Sequence, residues 1–175
     1  MKTNRLSATI NNALNDQLKK EAHAAQIYLS YASWAANEGY EGIAHFLFHH
    51  ATEERNHMMK FLNYILERGA RVHVEAIPAP PADPKSVQDC FERTFQHEVD
   101  NSNSIYKIVK MSFEEDDWAT WNFLQWFLNE QTEEETMVLK ILDKLKIAGG
   151  EKASKESLYA FDRELLTAPD EVKLA

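Results

Sequence analysis

The chain has 175 residues, 44% of them hydrophobic and 27% charged, which is typical of one globular domain with a substantial core. The net charge of −9 argues against nonspecific nucleic-acid binding, because that binding needs Lys and Arg to neutralise phosphates. The single cysteine, Cys90, excludes an intrachain disulfide framework, and no apolar run approaches the roughly 18 residues of a membrane span. The first residues lack an apolar signal core, so we expect a cytoplasmic protein.

Two long helices are predicted in the first part of the chain. The first runs from about Leu6 to Asn37 and stops at Gly39, and the second runs from about Glu41 to Arg68 and stops at Gly69. Glycine is the usual residue in the left-handed turn that follows a helix. Segment 70–82 contains three of the five prolines and cannot be helical throughout, so we expect a long connection there.

Three further helices are predicted after this connection. Asp83 and Pro84 look like an N-cap and first helical residue, and the third helix runs from there to about Phe113. The fourth helix spans about Trp118 to Ile147. A short fifth helix spans about Ser154 to Leu166 and has one apolar side.

The connection lengths predict how the helices are arranged. Short turns at 38–40 and 114–117 make two antiparallel hairpins, whereas segment 70–82 can cross the length of a bundle. The expected fold is therefore all-α, a four-helix bundle with one long crossover and a short fifth helix. We expect one domain over 1–175, with the bundle at about 6–147 and the fifth helix at about 154–166.

Each of the four long helices carries an acidic residue inside its apolar stripe, near the middle of the helix. Burying a carboxylate is costly unless a positive charge lies beside it, so acids at a similar height in four helices predict a shared cation. A carboxylate-rich set with histidine and no cysteine suits iron or manganese better than a structural zinc site. The residues are Glu21, Glu54 with His57, Glu98, and Glu130 with Glu134.

The Glu54-x-x-His57 spacing places a carboxylate and an imidazole on one helical face, one turn apart. Both side chains can then bind one ion, or two ions about 3.5 to 4 Å apart. Alone, this spacing is common on exposed helices that bind nothing. Here Phe61 and Tyr64 continue the same face, which indicates that it is buried.

Several motifs resemble those of the bacterial non-haem ferritins, and the resemblance covers essentially the whole chain. The matching segments are Glu21 through Tyr28, Glu53-Glu54-x-x-His57, His97-Glu98, Phe123-Leu-Gln-Trp-Phe-Leu-Asn-Glu-Gln-Thr-Glu-Glu-Glu135 and Ser157-Leu-Tyr-Ala-Phe-Asp162. The resemblance implies a ferritin-like bundle with a ferroxidase centre.

The same resemblance implies a set of iron ligands. The first iron would be held by Glu21, Glu54 and His57. The second would be held by Glu54 as a bridge, Glu98, and Glu130 or its neighbours, with Gln131 lining the site. A third, more peripheral iron site would use Glu53, Glu130, Glu133 and Glu134.

Aromatic and flanking polar residues are open to two interpretations. Tyr28, one heptad beyond Glu21, is expected to lie against the centre and to hydrogen-bond or donate an electron, or else to be a core aromatic residue. Trp126 is a redox candidate that packing also explains. Glu133 and Glu135 fit a solvated acidic face as well. The remaining histidines considered, which are expected to be structural or on the surface, are His45, His49, His50 and His97.

The function implied by the resemblance is iron storage. The expected enzyme is a ferroxidase that oxidises Fe²⁺ to Fe³⁺ with O₂ or H₂O₂ and deposits ferric mineral in a hollow shell. The shell would be a homo-oligomer of about 24 subunits, with the fifth helix around its four-fold axes. No haem, nucleic-acid or membrane partner is expected.

Related classes fit less well. A bacterioferritin would carry a haem-binding Met directly after Glu54, where this chain has Arg55, and a second Glu-x-x-His on the fourth helix, where Glu130 is followed by Glu133. A rubrerythrin-like peroxidase would need a cysteine-rich iron module. A substrate-oxidising di-iron enzyme usually has two Glu-x-x-His motifs. A metal-free helical scaffold stays open but leaves the buried acids unexplained.

Overall fold

The structure, a computed structural model, describes residues 3–167 and consists of helices and their connections, with no strand in that range. The helices are α1 (Ala8–Asn37), α2 (Glu41–Glu67), α3 (Val87–Glu114), α4 (Trp118–Ala148) and α5 (Lys155–Thr167), with a 3₁₀ turn at Gly150–Lys152. The predicted all-α architecture, four long helices and a short fifth one, is confirmed. Within residues 3–167, no helix combines the length and apolar character needed to cross a membrane.

The four long helices form two hairpins. The α1 and α2 helices pack along each other, as do α3 and α4, and α1 also contacts α3. The connection 68–86 carries the chain from one hairpin to the other. The α5 helix packs chiefly on α2 and also touches α4, so it lies across one end of the bundle.

The third helix begins later than the sequence predicted. Its N-cap is Ser86, whose Oγ accepts a hydrogen bond from the Asp89 N–H at 3.0 Å, and its first residue is Val87. Asp89 Oδ2 in turn accepts the Lys85 N–H at 2.8 Å. This paired cap satisfies two backbone donors, which explains why the helix starts there rather than after Asp83.

In the described part of the chain, the bundle interior contains two apolar clusters. One lies towards α5 and includes Leu47, Phe91 and Phe161. The other lies towards the opposite end and includes Phe61 and Phe127. In all four long helices, the buried acids fall between the stretches that supply these two clusters.

Candidate metal centre

The acids predicted from the apolar stripes are buried at the middle of the bundle. Their side chains come from all four long helices, and none is more than 4% exposed. The buried set is Glu21, Glu54, His57, Glu98, Glu130 and Glu134. A layer of buried ionisable groups on facing helices is the arrangement that metal sites in helix bundles use.

The first compact group consists of Glu21, Glu54 and His57, whose ligand atoms lie within 4.8 Å of one another. His57 Nδ1 is 3.9 Å from Glu21 Oε2 and 3.7 Å from Glu54 Oε1. On the other side of the ring, His57 Nε2 is 3.4 Å from Glu130 Oε1. Within residues 3–167, Glu54 Oε2 and His57 Nδ1 have no hydrogen-bond partner. Buried polar atoms without a hydrogen bond are rare and fit a cation as the missing partner.

The electrostatics of this group also favour a cation. Burial, together with the negative charge of Glu54, raises the pKa of Glu21 well above its ordinary value. Burial and the charge of Glu98 do the same to the pKa of Glu54. The anionic carboxylates are therefore unstable next to each other in the metal-free protein, and a divalent cation would relieve that repulsion.

Glu98 lies outside the first group and is held by two donors. The Tyr28 hydroxyl donates a hydrogen bond to Glu98 Oε1. Gln131 Nε2 donates to Glu98 Oε2 at 3.2 Å. Burial and the charges of Glu98 and Glu54 raise the pKa of Tyr28 well above its ordinary value, so the phenol is protonated and acts as a donor.

A second compact group consists of His50, Glu53 and Glu134, again with ligand atoms within 4.8 Å of one another. His50 Nε2 lies 3.1 Å from Glu134 Oε2, and His50 Nδ1 lies 3.7 Å from Glu53 Oε2. Burial by itself lowers the pKa of His50, but the hydrogen bond and negative charge of Glu134 outweigh it, so the pKa is raised overall.

His50 is the functional candidate that sequence reasoning missed. The sequence predicts a structural or surface histidine at this position, yet His50 is 2% exposed and contacts two acids. The signal was present, because His50 lies four residues before Glu54 on the same apolar stripe. Glu133, by contrast, is exposed and belongs to neither compact group.

Two aromatic residues adjoin the centre. Tyr28 is fully buried, and its hydroxyl is also 3.4 Å from His97 Nδ1. Burial, together with the charge of His23, lowers the pKa of His97 to about 4, so the ring is neutral near neutral pH. Trp126 packs edge-on against His57 with 5.5 Å between ring centroids, and it is 37% exposed.

Facing helices that bring buried carboxylates and imidazoles together are the architecture of the di-iron and di-manganese carboxylate proteins. A family profile described as a ferritin-like domain matches residues 11–148. The chain belongs to the ferritin family. The resemblance to bacterial non-haem ferritins noted in the sequence is confirmed by its relatives.

The relatives match over most of their lengths. A probable bacterial non-heme ferritin-like protein of Haemophilus influenzae is 38% identical over 160 residues, covering 91% of this chain and 95% of the relative. A bacterial non-heme ferritin of Campylobacter jejuni is 39% identical over 144 residues, covering 82% and 86%. A solved open pore ferritin from Archaeoglobus fulgidus superimposes with a TM-score of 0.89 at 37% identity, covering 93% of this chain and 98% of that one.

Proposed function

We propose that this protein stores iron and is a ferroxidase, oxidising Fe²⁺ to Fe³⁺ at the buried centre for deposition as ferric mineral. One observation carries the proposal: Glu21, Glu54 and His57 converge from two helices, and buried Glu54 Oε2 and His57 Nδ1 have no hydrogen-bond partner within the part of the chain that the structure describes. A scaffold without a metal would gain stability by replacing these groups with apolar side chains.

Iron is the substrate of this reaction, and the residues divide between two positions. Glu21, Glu54 and His57 hold the first Fe²⁺. Glu54, Glu98 and Glu130 hold the second, with Gln131 beside it. Hard anionic oxygen ligands favour the higher charge of Fe³⁺. Two Fe²⁺ ions supply two electrons, which O₂ takes up with two protons as H₂O₂, or which H₂O₂ takes up with two protons as water.

The third iron position belongs at the second compact group. Glu53 and Glu134 are common to that group and to the site implied by the resemblance, and His50 contacts both of them. Glu130 contacts His57 and so connects this position with the first. Glu133 is exposed and serves, in this proposal, as an outer ligand for iron on its way to or from this position.

Storage of a mineral requires a closed container, so we propose a homo-oligomer of about 24 subunits, each a single domain, in the cytoplasm. The ferritin names of the relatives support this assembly. A negative net charge of −9 per chain would raise the local concentration of Fe²⁺ around the shell. Nothing in this scheme requires haem.

The proposal is tested by adding Fe²⁺ aerobically to the purified protein and following ferric absorbance and native mass. Wild type should oxidise iron within a large assembly, and Glu54→Ala should do so at least about tenfold more slowly, because it lacks the shared ligand. Glu41→Ala, which removes an exposed acid from the same helix, is the matched control. Equal rates in Glu54→Ala and wild type would disprove the proposed centre, and a monomeric wild type would disprove the storage role.

A further inference from the structure

The two carboxylates of the first group differ in their hydrogen-bond support. Glu21 Oε1 accepts a hydrogen bond from Gln17 Nε2 at 2.7 Å, and Glu21 Oε2 accepts a long one from Asn101 Nδ2 at 3.5 Å. Glu54 Oε2 has no such partner in the described part of the chain. Side-chain amides therefore support both oxygens of Glu21, whereas Glu54 Oε2 has no donor among the described residues.

The hydrogen bond from Gln17 to Glu21 is the last in a chain of hydrogen bonds that begins at the surface with Lys20. Lys20 Nζ donates to Ser104 Oγ, and Ser104 Oγ donates to Gln17 Oε1 at 2.7 Å. The amide of Gln17 then donates to Glu21 and also to Asn101 Oδ1, the latter at 2.5 Å. Because each acceptor site is used by the preceding donor, the orientation of both amides is determined.

This chain is buried and polar where apolar residues would cost less. Gln17 is 1%, Asn101 6% and Ser104 8% exposed. Burying amides and hydroxyls gains little stability over apolar packing even when they are fully hydrogen-bonded. Side-chain amides also do not pass a proton along, so the chain is suited to holding a group rather than to conducting protons.

Asn101 also connects the two iron positions. Its Nδ2 is 3.5 Å from Gln131 Oε1, and Gln131 Nε2 donates to Glu98. Glu21 and Glu98, which come from different helices, are thus linked through two amides. A shift of Asn101 would therefore move a proposed ligand of each iron, Glu21 directly and Glu98 through Gln131.

We propose that Gln17 and Asn101 are positioning residues that hold the Glu21 carboxylate with Oε2 facing His57, ready to bind the first metal ion. This inference rests on the proposed function. The amides touch a ligand rather than the iron. Their loss frees the Glu21 side chain to adopt other rotamers, which lowers the metal affinity of the first position without removing any ligand.

The test is a titration of the metal-free protein with Co²⁺, whose visible absorption reports the number and arrangement of its ligands. Gln17→Leu and Asn101→Leu should each raise the dissociation constant of the tightest site about tenfold or more and change its spectrum. The matched controls are Gln26→Leu on α1 and Asn103→Leu on α3, both at exposed positions. In these variants, the dissociation constant and the visible spectrum should be the same as in wild type.

A second pair of variants acts one residue further away and leaves both amides in place. Ser104→Ala removes the hydroxyl that orients Gln17 and should weaken Co²⁺ binding, whereas Ser104→Thr keeps a hydroxyl and should restore it. This pair decides the question if the leucine variants fail to fold.

The outcomes separate this inference from the proposed function. If wild type binds Co²⁺ and the folded Gln17, Asn101 and Ser104 variants bind it equally well, the inference is overturned and the centre stands. Variants that lose only thermal stability, with Co²⁺ affinity and spectrum unchanged, show a merely structural role and overturn it too. A wild type that binds no Co²⁺ overturns the proposed function and the inference together.

Discussion

His50 supplies the nitrogen of the second compact group, and its position explains how one helix can serve two metal positions. His50 precedes Glu54 by one helical turn. Because adjacent residues on a helix point in different directions, Glu53 and Glu54 face different partners. Glu54 belongs to the first group, while Glu53 lies with His50 and Glu134. The α2 helix thereby places imidazoles on both sides of a central acid pair.

Replacing His50 by alanine should weaken the peripheral position and spare the first. We expect metal binding at the weakest class of sites to fall about tenfold, because one of three ligands is lost, while the initial rate of Fe²⁺ oxidation stays near that of wild type. Isothermal titration with Co²⁺ and stopped-flow oxidation measure the two quantities. His45→Ala, an exposed position on α2, is the control. An initial rate that falls as far as in Glu54→Ala would assign His50 to the first position instead.

The raised pKa values of Glu21 and Glu54 make the stability of the metal-free protein depend on pH. Above about pH 4.5, these acids lose protons in the unfolded chain but keep them in the folded one. The folded state therefore binds more protons, and the free energy of unfolding falls as pH rises towards the folded-state pKa values. The contribution is fully present only below the unfolded pKa.

Denaturant unfolding of the metal-free protein from about pH 5 to about pH 8 measures this slope. Glu21→Gln should flatten it, since the amide does not titrate and one source of repulsion is gone. Glu133→Gln, at an exposed position, should leave it unchanged. A slope that is the same in Glu21→Gln and in wild type would show that the buried acids do not control stability.

The charged residues of the centre were predictable because an acid inside an apolar stripe is costly and therefore stands out. Gln17 and Asn101 did not stand out, because uncharged polar residues on buried faces are ordinary. Their importance depends on distances between helices, which heptad spacing within one helix does not provide. Gln17 and Asn101 are 84 residues apart in sequence and form a hydrogen bond.

The contact between α2 and α5 depends on the absence of a side chain at Gly42. A Cβ built at that position would lie 1.8 Å from the Asp162 carbonyl oxygen. On the same helix end, Asp162 Oδ1 accepts the Ile43 N–H at 2.9 Å, so α5 caps the start of α2. The close approach lets Phe161 reach the apolar cluster beside Phe91.

Gly42→Ala should therefore detach α5 while leaving the four long helices folded. The displaced helix loses the burial of Phe161 and the cap on Ile43. A distance of 1.8 Å between the new Cβ and the Asp162 carbonyl oxygen is too short to be relieved by a small shift of side chains. Hydrogen exchange at the α5 amides should speed up strongly, whereas exchange in α1 and α3 should not change. Glu41→Ala alters the neighbouring exposed residue and controls for helix propensity. If hydrogen exchange at the α5 amides were as slow in Gly42→Ala as in wild type, the contact between α2 and α5 would tolerate the added methyl group.

The four-helix bundle followed from the apolar periodicity and the connection lengths, since both are properties of local sequence. The start of α3 did not, because two cap signals lie three residues apart and the reciprocal Ser86 and Asp89 bonds decide between them. The docking of α5 also escaped prediction, because an apolar helix side shows that a partner is needed but not which one. Gly42 would have been the signal, as a glycine in the first turn of a helix is unfavourable unless space requires it.

Across residues 3–167, a layer of buried acids separates the interior into two apolar clusters. Apolar burial stabilises both ends, while in the middle the pKa values of Glu21 and Glu54 are raised, and Glu54 Oε2 and His57 Nδ1 have no hydrogen-bond partner among the described residues. A protein selected only for stability would fill this layer with apolar side chains. Metal binding to this layer should therefore stabilise the fold by mass action.

Replacing Glu54 by leucine should reverse this relation between stability and binding. The metal-free variant should be more stable than wild type by about 1 kcal/mol or more, because an apolar side chain of similar volume replaces a buried carboxyl group whose charged form is repelled by its neighbours. Saturating Co²⁺, at about 100 times the dissociation constant, should stabilise wild type by about 2.7 kcal/mol and should leave Glu54→Leu unchanged. Thermal unfolding with and without Co²⁺ measures both effects, and Glu41→Leu, an exposed acid of the same helix, should respond to Co²⁺ as wild type does. A Glu54→Leu variant that is less stable without metal would show that Glu54 has enough stabilising contacts in the metal-free bundle. If Co²⁺ stabilised Glu54→Leu as much as wild type, the tightest metal site would lie elsewhere. The expected result, greater stability together with lost metal response, would show that the fold retains its buried acids for binding and at the expense of its own stability.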